Sequence, residues 1–197
     1  GCYAVLQSEG YDPGGIEATI GGDLPLASGL SSSASLEVGV VALLAAAYDI
    51  DLSRTELARL GRRVENDFVG VDCGLLDQFS VALARENEAL FLDLGNESFN
   101  RVPVPTDLQF LVVHTGVERS LSDTPYNERR ATVQAALDAL DVERSPSVDL
   151  AALGSLDAEQ ARRLGYVVRE NARVRQAATA LDDGDLERFG DVLVEAH

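Results

Sequence analysis

Apolar and polar residues alternate along the chain in patterns that predict both strands and helices. Residues 16–20 (IEATI) alternate as a half-buried strand does, and Gly21-Gly22-Asp23 supplies turn residues directly after them. Residues 33–48 are rich in alanine and almost uncharged. This composition predicts a helix that is apolar on most faces and buried at the centre of a fold. A glycine- and serine-rich loop therefore leads into a buried helix.

Further elements follow in the first half of the chain. Ser53 and Glu56 have the spacing of a capping box, and apolar residues then recur at helical spacing to about Asn66. The glycine-containing stretch GVDCG (70–74) interrupts this pattern, and LLDQFSVALA after it predicts a short helix. Residues 88–94 and 108–114 are β-rich runs, and the second is nearly all apolar, which predicts a central strand.

The second half of the chain is predicted to be mainly helical. Thr124 and Pro125 provide an N-cap and a first-turn proline for a helix to about Leu140. Ser145-Pro146-Ser147 marks a loop, and the residues after Asp157 are predicted to be helical with a break at 182–184. The order of strands and helices lacks the regular alternation of a doubly wound sheet, so the predicted class is α+β, with strands early and helices later.

The amino-acid composition argues against several classes of function. The chain has 197 residues, of which 46% are hydrophobic, and this is enough for a substantial core. Its formal net charge of −17 argues against binding to nucleic acid or to anionic membranes. No apolar run reaches the roughly 20 residues of a membrane helix. All basic residues are arginine, and acidic residues are scattered, which favours a salt-loving host over an ordinary acidic cytoplasmic protein.

Cysteine usage and the first residue give two more expectations. Cys2 and Cys73 belong to no short motif, so we expect neither a disulfide framework nor a metal site. Reduced cysteines are typical of the cytoplasm, which is therefore the location we expect. The chain starts at Gly1 and contains no methionine. We therefore expect the sequence to be part of a longer protein.

The segment PLASGLSSSASLE (25–37) is the strongest candidate for chemistry. The first turn of a helix presents free N–H groups and the positive end of the helix dipole, and these together bind anions such as phosphate. Gly29 allows close approach of the backbone, and Ser31, Ser32 and Ser33 offer hydroxyls to phosphate oxygens or to Mg²⁺. The alternative is that the serines only cap the helix in a tight turn. The segment has no lysine, so it is not a Walker loop.

Four stretches in order resemble the GHMP small-molecule kinases, and most of all the members that phosphorylate galactose. They are PLASGLSSSASLE, FVGVDCGLLDQFS (68–80), YNERR (126–130) and, more weakly, LERFGDVLVEAH (186–197). The resemblance covers essentially the whole chain. It implies a GHMP kinase fold of two incomplete lobes: a ribosomal protein S5 domain 2-like ATP-binding lobe over 1–105 and part of an α+β C-terminal lobe over 106–197.

The resemblance also implies an activity, namely ATP-dependent phosphorylation of the anomeric hydroxyl of galactose with Mg²⁺. The partners are then a small sugar and ATP, without nucleic acid or membrane. Two alternatives keep the fold: a kinase for another sugar, such as N-acetylgalactosamine or arabinose, and a non-catalytic sensor of sugar and ATP. A third, outside the family, is an acidic interaction module in which the serine loop is only a cap.

Site residues carried over by the resemblance fall into four groups. Asp77 is the catalytic residue, as general base or as the charge that orients the sugar hydroxyl. The ATP phosphates contact the loop residues, which are Gly29, Leu30, Ser31, Ser32, Ser33 and Ala34. Ser33 and Glu65 bind Mg²⁺, and Gly74, Asp77 and Tyr126 contact the sugar.

Ordinary alternatives remain for several of these residues. Asp77 could be a solvent-facing or capping aspartate, and Glu65 could form a surface pair with Arg62. Gly74 could be a turn residue, and Tyr126 an exposed residue in a first helical turn.

Other polar residues and the absent motifs complete the expectations. We expect surface pairing for Arg129 and Arg130, structural roles for His114 and His197, and a packing role for Cys73. Ala27 stands where the family usually has glycine. The family's N-terminal sugar-binding motif and its C-terminal glycine-rich motif have no counterpart here, so we expect the 197-residue chain alone to be inactive.

Overall fold

The computed structural model describes residues 1–25, 29–113 and 125–197, which form two compact units. Unit 1 consists of Gly1–Arg85 with the described residues of Leu111–Asp123. Unit 2 consists of Glu86–Phe110 with the described residues of Thr124–His197. The units divide after Arg85, whereas the sequence analysis placed the lobe boundary at 105; the lobe division of the complete protein stays a prediction.

Unit 1 is helical. Its elements are α1 (Cys2–Ser8), α2 (Ser32–Ala47), α3 (Arg54–Val64) and α4 (Leu76–Leu83), and a π-helical turn (Glu65–Val69) continues α3. The buried face of α2 repeats at helical spacing, with Ala34, Glu37, Val38, Val41, Leu44 and Ala45 on one stripe. Apolar side chains of α1, α2 and α3 form one core cluster: Val5, Leu6, Val41, Leu44, Leu60 and Val64. The helix predicted over 33–48 is thus confirmed.

The capping box that begins α3 is also confirmed. Ser53 Oγ accepts a hydrogen bond from the Glu56 amide at 3.2 Å, and the Glu56 carboxylate accepts one from the Ser53 amide at 2.7 Å. Two first-turn donors are satisfied in this way. The helix is therefore fixed at its start, and its far end, which carries Glu65, is held by packing in the core.

Gly61 on α3 lets two neighbouring helices approach closely. A Cβ atom at this position would lie 2.8 Å from Val38 Cγ2 on α2 and 3.4 Å from Gln78 Cγ on α4. Gly39 on α2 is a matched control, since a Cβ there would meet no atom within 4 Å.

We expect Gly61→Ala to lower the free energy of unfolding by about 1–3 kcal/mol, because the added methyl overpacks a stiff β-branched neighbour. Gly39→Ala is expected to raise it by up to about 1 kcal/mol through helix propensity. Urea unfolding of both variants measures the difference. Equal stabilisation by the two substitutions would show that the helices are not closely packed at Gly61.

Unit 2 combines a β-hairpin with three helices. Strands β1 (Glu88–Asp93) and β2 (Ser98–Pro103) pair antiparallel, with Glu88 opposite Pro103. The helices are α5 (Pro125–Ala139), α6 (Ala158–Asp182) and α7 (Leu186–Ala196), with short 3-10 turns at Ser145–Ser147 and Leu150–Ser155. One core cluster joins Val102, Ala180, Leu181 and Phe189, and another joins Ala136, Leu137, Val148 and Leu164. The predicted strand near 88–94, the helix from 125 and the break at 182–184 are confirmed.

Two predicted strands are wrong. Residues 16–20 and 108–113 form no strand, and most of their apolar side chains face solvent, with Ile20 69% and Leu111 88% exposed; Leu108 instead packs against the Val102 core cluster. A strand needs a neighbour to pair its amides and carbonyls, and neither run has one in the described part of the chain. The early elements are consequently helices rather than strands.

Some expectations concern residues that the structure does not describe, namely Ala27, His114 and the N-cap Thr124. The expectation that no apolar segment is long enough to cross a membrane concerns the other residues. No helix within residues 1–25, 29–113 and 125–197 is long and apolar enough to cross a membrane.

Candidate functional site

The loop before α2 has an unusual backbone. Gly29 has φ +77°, and Ser31, directly before the helix, has φ +55°. A left-handed serine is uncommon, and such backbone geometry is concentrated at functional sites. The Ser31 side chain makes no capping hydrogen bond to α2, although its carbonyl accepts from the Ser35 amide at 2.9 Å. The alternative in which the loop serines serve only as caps therefore fails for the N-cap residue itself.

Ser33 and Glu65 are brought together by α2 and α3. Ser33 Oγ donates a hydrogen bond to Glu65 Oε2 at 2.8 Å, and Glu65 is only 4% exposed. Its buried position excludes the alternative of a surface pair with Arg62, whose Nε instead donates to the Cys73 carbonyl at 3.2 Å. Glu65 begins the π-helical turn, which ends at Val69 and is followed by Gly70 with φ +83°. Single π turns of this kind occur frequently at functional sites.

A second buried carboxyl group, Glu37, lies beside this pair. Glu37 is 6% exposed, and its Oε1 accepts from Ser33 Oγ at 3.4 Å. Burial and the neighbouring Glu65 carboxyl raise the pKa of Glu37 to about 8, against smaller lowering contributions from Gln78 and Ser33. Ser33 thus hydrogen-bonds to two buried carboxyl groups.

The raised pKa predicts a pH dependence of stability. Between its ordinary value near 4.5 and the folded value of about 8, Glu37 is protonated in the folded chain and ionised in the unfolded chain. The free energy of unfolding should therefore fall as pH rises through this window, by at most about 1.4 kcal/mol per pH unit. Glu37→Gln should remove this slope, which urea unfolding between pH 5 and 8 without divalent cations measures.

The exposed residue Glu17 provides the control for that experiment. Glu17→Gln should leave the slope as in the unaltered protein. If Glu37→Gln retained the same slope, the assignment of the raised pKa to Glu37 would be wrong.

The oxygen atoms around Ser33 fit a hard divalent cation. Mg²⁺ is bound in proteins by one or two carboxylates together with substrate phosphates and water. Ser33 Oγ and Glu65 Oε2 are adjacent, and the buried Glu37 Oε2 has no hydrogen-bond partner among the described residues. Within the same part of the chain, no group of three or more His, Cys, Asp or Glu side chains is arranged to hold a metal. The residues suit a cation that brings its remaining ligands with the nucleotide.

Asp77 lies in the first turn of α4. Leu75 and Phe79 are buried on either side of it, whereas Asp77 is exposed. No hydrogen bond or ion pair joins the Asp77 carboxylate to another described residue, backbone or side chain, so it does not cap α4; its exposure is what the solvent-facing alternative expects, and its catalytic role stays a prediction. Gly74, just before α4, is half-buried, and a Cβ atom there would meet nothing within 4 Å. The segment thus presents a carboxylate next to open backbone.

The remaining predicted residues are more dispersed. Tyr126 is the second residue of α5 in unit 2 and is 50% exposed, and its grouping with Gly74 and Asp77 stays a prediction. Cys2 and Cys73 are free thiols, and burial raises the pKa of the Cys73 thiol. A protonated thiol, whose Sγ donates to Asn66 Oδ1 at 3.2 Å, agrees with the packing role expected for Cys73.

Sequence reasoning missed Glu37 and Gln78. A signal for Glu37 was present, because it is the one charged residue of α2 and falls on the buried stripe of that helix. Gln78 gave a weaker signal, as a polar residue between Asp77 and the buried Phe79.

The chain is similar to proteins of known family. Residues 1–85 match the family described as GHMP kinases N terminal domain. Residues 1–85 are thus similar to the N-terminal domain of GHMP kinases, and the fold of the chain is consistent with an incomplete GHMP kinase fold.

The similar proteins are galactokinases. The chain is 48% identical to a galactokinase of Thermococcus kodakarensis and 42% identical to one of Pyrococcus furiosus, in each case over all of this chain and 56% of the relative. It also resembles the solved structure of Lactococcus lactis galactokinase complexed with galactose, with a TM-score of 0.83 at 30% identity, over all of this chain and 54% of that one. The chain thus spans about half the length of the relatives it matches.

Proposed function

We propose that the complete protein is a galactokinase, which transfers the γ-phosphoryl group of ATP to the anomeric hydroxyl of galactose. The observation that carries the proposal is the buried contact between Ser33 and Glu65, in a chain that aligns over its whole length with galactokinases. The contact joins the serine loop to a carboxylate suited to a cation. This is the arrangement that ATP bound as its magnesium complex requires.

The ATP phosphates bind at the loop before α2. Positive φ angles at Gly29 and Ser31 shape the backbone, and the N–H groups of the first turn face the phosphates together with the hydroxyls of Ser31, Ser32 and Ser33. Leu30 and Ala34 contribute backbone contacts. The helix dipole adds a favourable field for the negative charge.

Ser33 and Glu65 hold the magnesium ion. The cation, when bound, neutralises charge that develops on the phosphate oxygens during transfer. Because Glu65 is buried at 4% exposure, its carboxylate keeps one orientation rather than moving in solvent. A buried anion is also favourable only beside a cation or hydrogen-bond donors, which is what this site provides.

Asp77 acts on the sugar. Its exposed carboxylate accepts the proton of the anomeric hydroxyl, or orients that hydroxyl, while the hydroxyl oxygen forms a bond to the γ-phosphorus and ADP leaves. Gly74 lets the backbone approach the sugar, and Tyr126 contributes an aromatic contact. The exchange is balanced: one P–O bond breaks, one forms, and one proton leaves the sugar.

A substrate panel tests the proposal. The complete protein is incubated with ATP, Mg²⁺ and, in turn, galactose, N-acetylgalactosamine, arabinose and glucose, and ADP formation is followed. Galactose should give the highest kcat/KM. A higher value for another sugar would identify a kinase of different specificity, and binding of sugar and ATP without turnover would identify a sensor.

We also propose that the protein works in the cytoplasm of a host with high internal salt. The net charge of −17 and the absence of lysine support this setting, because a strongly acidic surface stays soluble when salt screens ordinary repulsion. Activity that rises with KCl in the molar range would agree with it. Highest activity in dilute buffer would contradict it.

A further inference from the structure

A cluster of polar side chains, two of them buried and two half-buried, lies next to Ser33 and Glu65. We define it by its members Glu37, Asn66, Cys73 and Gln78, which come from α2, the π-helical turn, the loop before α4 and α4 itself. Within it, Cys73 Sγ donates to Asn66 Oδ1 at 3.2 Å, and Gln78 Nε2 donates to Cys73 Sγ at 3.8 Å. The Gln78 side chain also lies close enough to the Glu37 carboxyl group to act on its pKa, so the cluster reaches from the helix that carries Ser33 to the helix that carries Asp77.

Gln78 is the most deeply buried member. It is 1% exposed, and its Cγ atom packs where Gly61 leaves room on α3. Its Oε1 atom has no hydrogen-bond partner in the described part of the chain. Burial of an amide with an unsatisfied oxygen is unfavourable, and an apolar side chain of similar length would avoid that cost. Packing alone consequently does not account for glutamine at this position.

Glu37 also has a buried oxygen atom that lacks a hydrogen-bond partner. Its Oε1 accepts from Ser33 Oγ, whereas its buried Oε2 has no partner among the residues described. Glu37 touches Ser33 and neighbours Glu65, and Gln78 directly follows Asp77 in α4. Glu37 thus lies beside the groups that we assign to the cation, and Gln78 lies beside the residue that we assign to the sugar.

We propose that Glu37 and Gln78 are positioning residues that hold the helix of Asp77 in register with Ser33 and Glu65. This inference rests on the proposed kinase function. Phosphoryl transfer depends mainly on alignment, and a displacement of about 1 Å at the reacting groups costs roughly 100-fold in rate. Side chains behind metal ligands commonly affect metal affinity or activity by about 10–100-fold. Neither residue needs to touch a substrate to have this effect.

The test uses Gln78→Met and Glu37→Met in the complete protein, because methionine keeps length and removes the hydrogen-bonding atoms. Two quantities are measured: kcat for galactose, and the gain in ATP affinity that Mg²⁺ gives over EDTA in calorimetry. Each variant should lower kcat about 10–100-fold and reduce the gain from Mg²⁺ at least about 5-fold. Gln7→Met, at an exposed position of α1, is the control and should change neither quantity.

A double variant tests whether the two residues act through one connection. Gln78→Met combined with Glu37→Met should cost little more than the larger single effect, because either change already breaks the link. Independent roles would instead give effects that multiply, and that result would overturn the inference. If Gln78→Met does not fold, Gln78→Asn, which keeps the amide but shortens its reach, is judged by the same two quantities.

If Glu37 and Gln78 only stabilised the fold, the two substitutions would give a different result. They would lower Tm and the folded fraction but leave kcat per folded molecule and the gain from Mg²⁺ within about 2-fold of the unaltered protein. The measurement also separates this inference from the proposed function. If the unaltered protein phosphorylates no sugar, the proposed function fails, and the gain from Mg²⁺ still decides the role of the two residues.

Discussion

Asp77→Ala in the complete protein is expected to lower kcat for galactose phosphorylation by about 10²–10⁴-fold, the usual contribution of a positioned acid or base. The loss follows from removal of the exposed carboxylate that faces the sugar hydroxyl in our proposal. The Kd for ATP should change little, because the phosphate loop and α2 lie outside the substituted turn. Steady-state kinetics and calorimetry measure the two effects separately.

The control for that substitution is Asp51→Ala, at an exposed position outside the site. It should leave both kcat and the ATP affinity unchanged. An Asp77→Ala protein with full activity would remove Asp77 from the mechanism. Loss of ATP binding together with turnover would point to a structural role of Asp77 instead.

Glu65→Gln is expected to have the next largest effect. Stabilisation of phosphoryl transfer by a metal ion is worth several kcal/mol, so kcat should fall by about 10²–10³-fold. The Mg²⁺ concentration needed for half-maximal activity should rise, because glutamine keeps the shape of the side chain but removes its charge. Titration of activity with Mg²⁺ at saturating ATP measures this change.

Two further variants test whether the change in Mg²⁺ requirement is specific to the proposed metal site. Glu17→Gln, at an exposed position, should leave the Mg²⁺ requirement unaltered. Ser33→Ala should raise it in the same direction as Glu65→Gln, since the two side chains are in contact at 2.8 Å. An unchanged Mg²⁺ requirement in both Ser33→Ala and Glu65→Gln would exclude the proposed metal site.

Helices of unit 1 were predictable because their signals are local. The apolar stretch of α2, the capping box at Ser53 and Glu56, and the apolar repeat of α3 each depend on residues a few positions apart. The order of the predicted phosphate loop, Glu65 and Asp77 was also readable from sequence. Those parts of the fold required no knowledge of distant contacts.

Strands were predicted less well, because a strand exists only with a partner. Residues 16–20 and 108–113 have suitable alternation or β-rich composition, yet neither pairs with another described segment. Residues 88–93 form a strand because 98–103 folds back on them as a hairpin. The pattern of a single segment shows which side chains suit a sheet, but not whether a neighbouring strand is present.

The contact between Ser33 and Glu65 could be anticipated from the family resemblance, whereas the environment of the two side chains could not; the functional roles of the site residues stay predictions. The resemblance to GHMP kinases implied Ser33 and Glu65 as a pair, and only the three-dimensional arrangement shows that Glu65 is buried on a π-helical turn. Glu37 and Gln78 belong to the same region through contacts between helices that no local pattern encodes. Their burial at 6% and 1% exposure is a tertiary property of α2 and α4.

Identification of the product tests whether the complete protein phosphorylates the anomeric hydroxyl of galactose. The complete protein is incubated with galactose, ATP and Mg²⁺, and the product is examined by phosphorus and proton NMR. We expect ADP and a single sugar phosphate whose phosphorus couples to the anomeric proton. A phosphate on any other sugar oxygen, or ATP that stays intact while galactose is bound, would contradict this expectation.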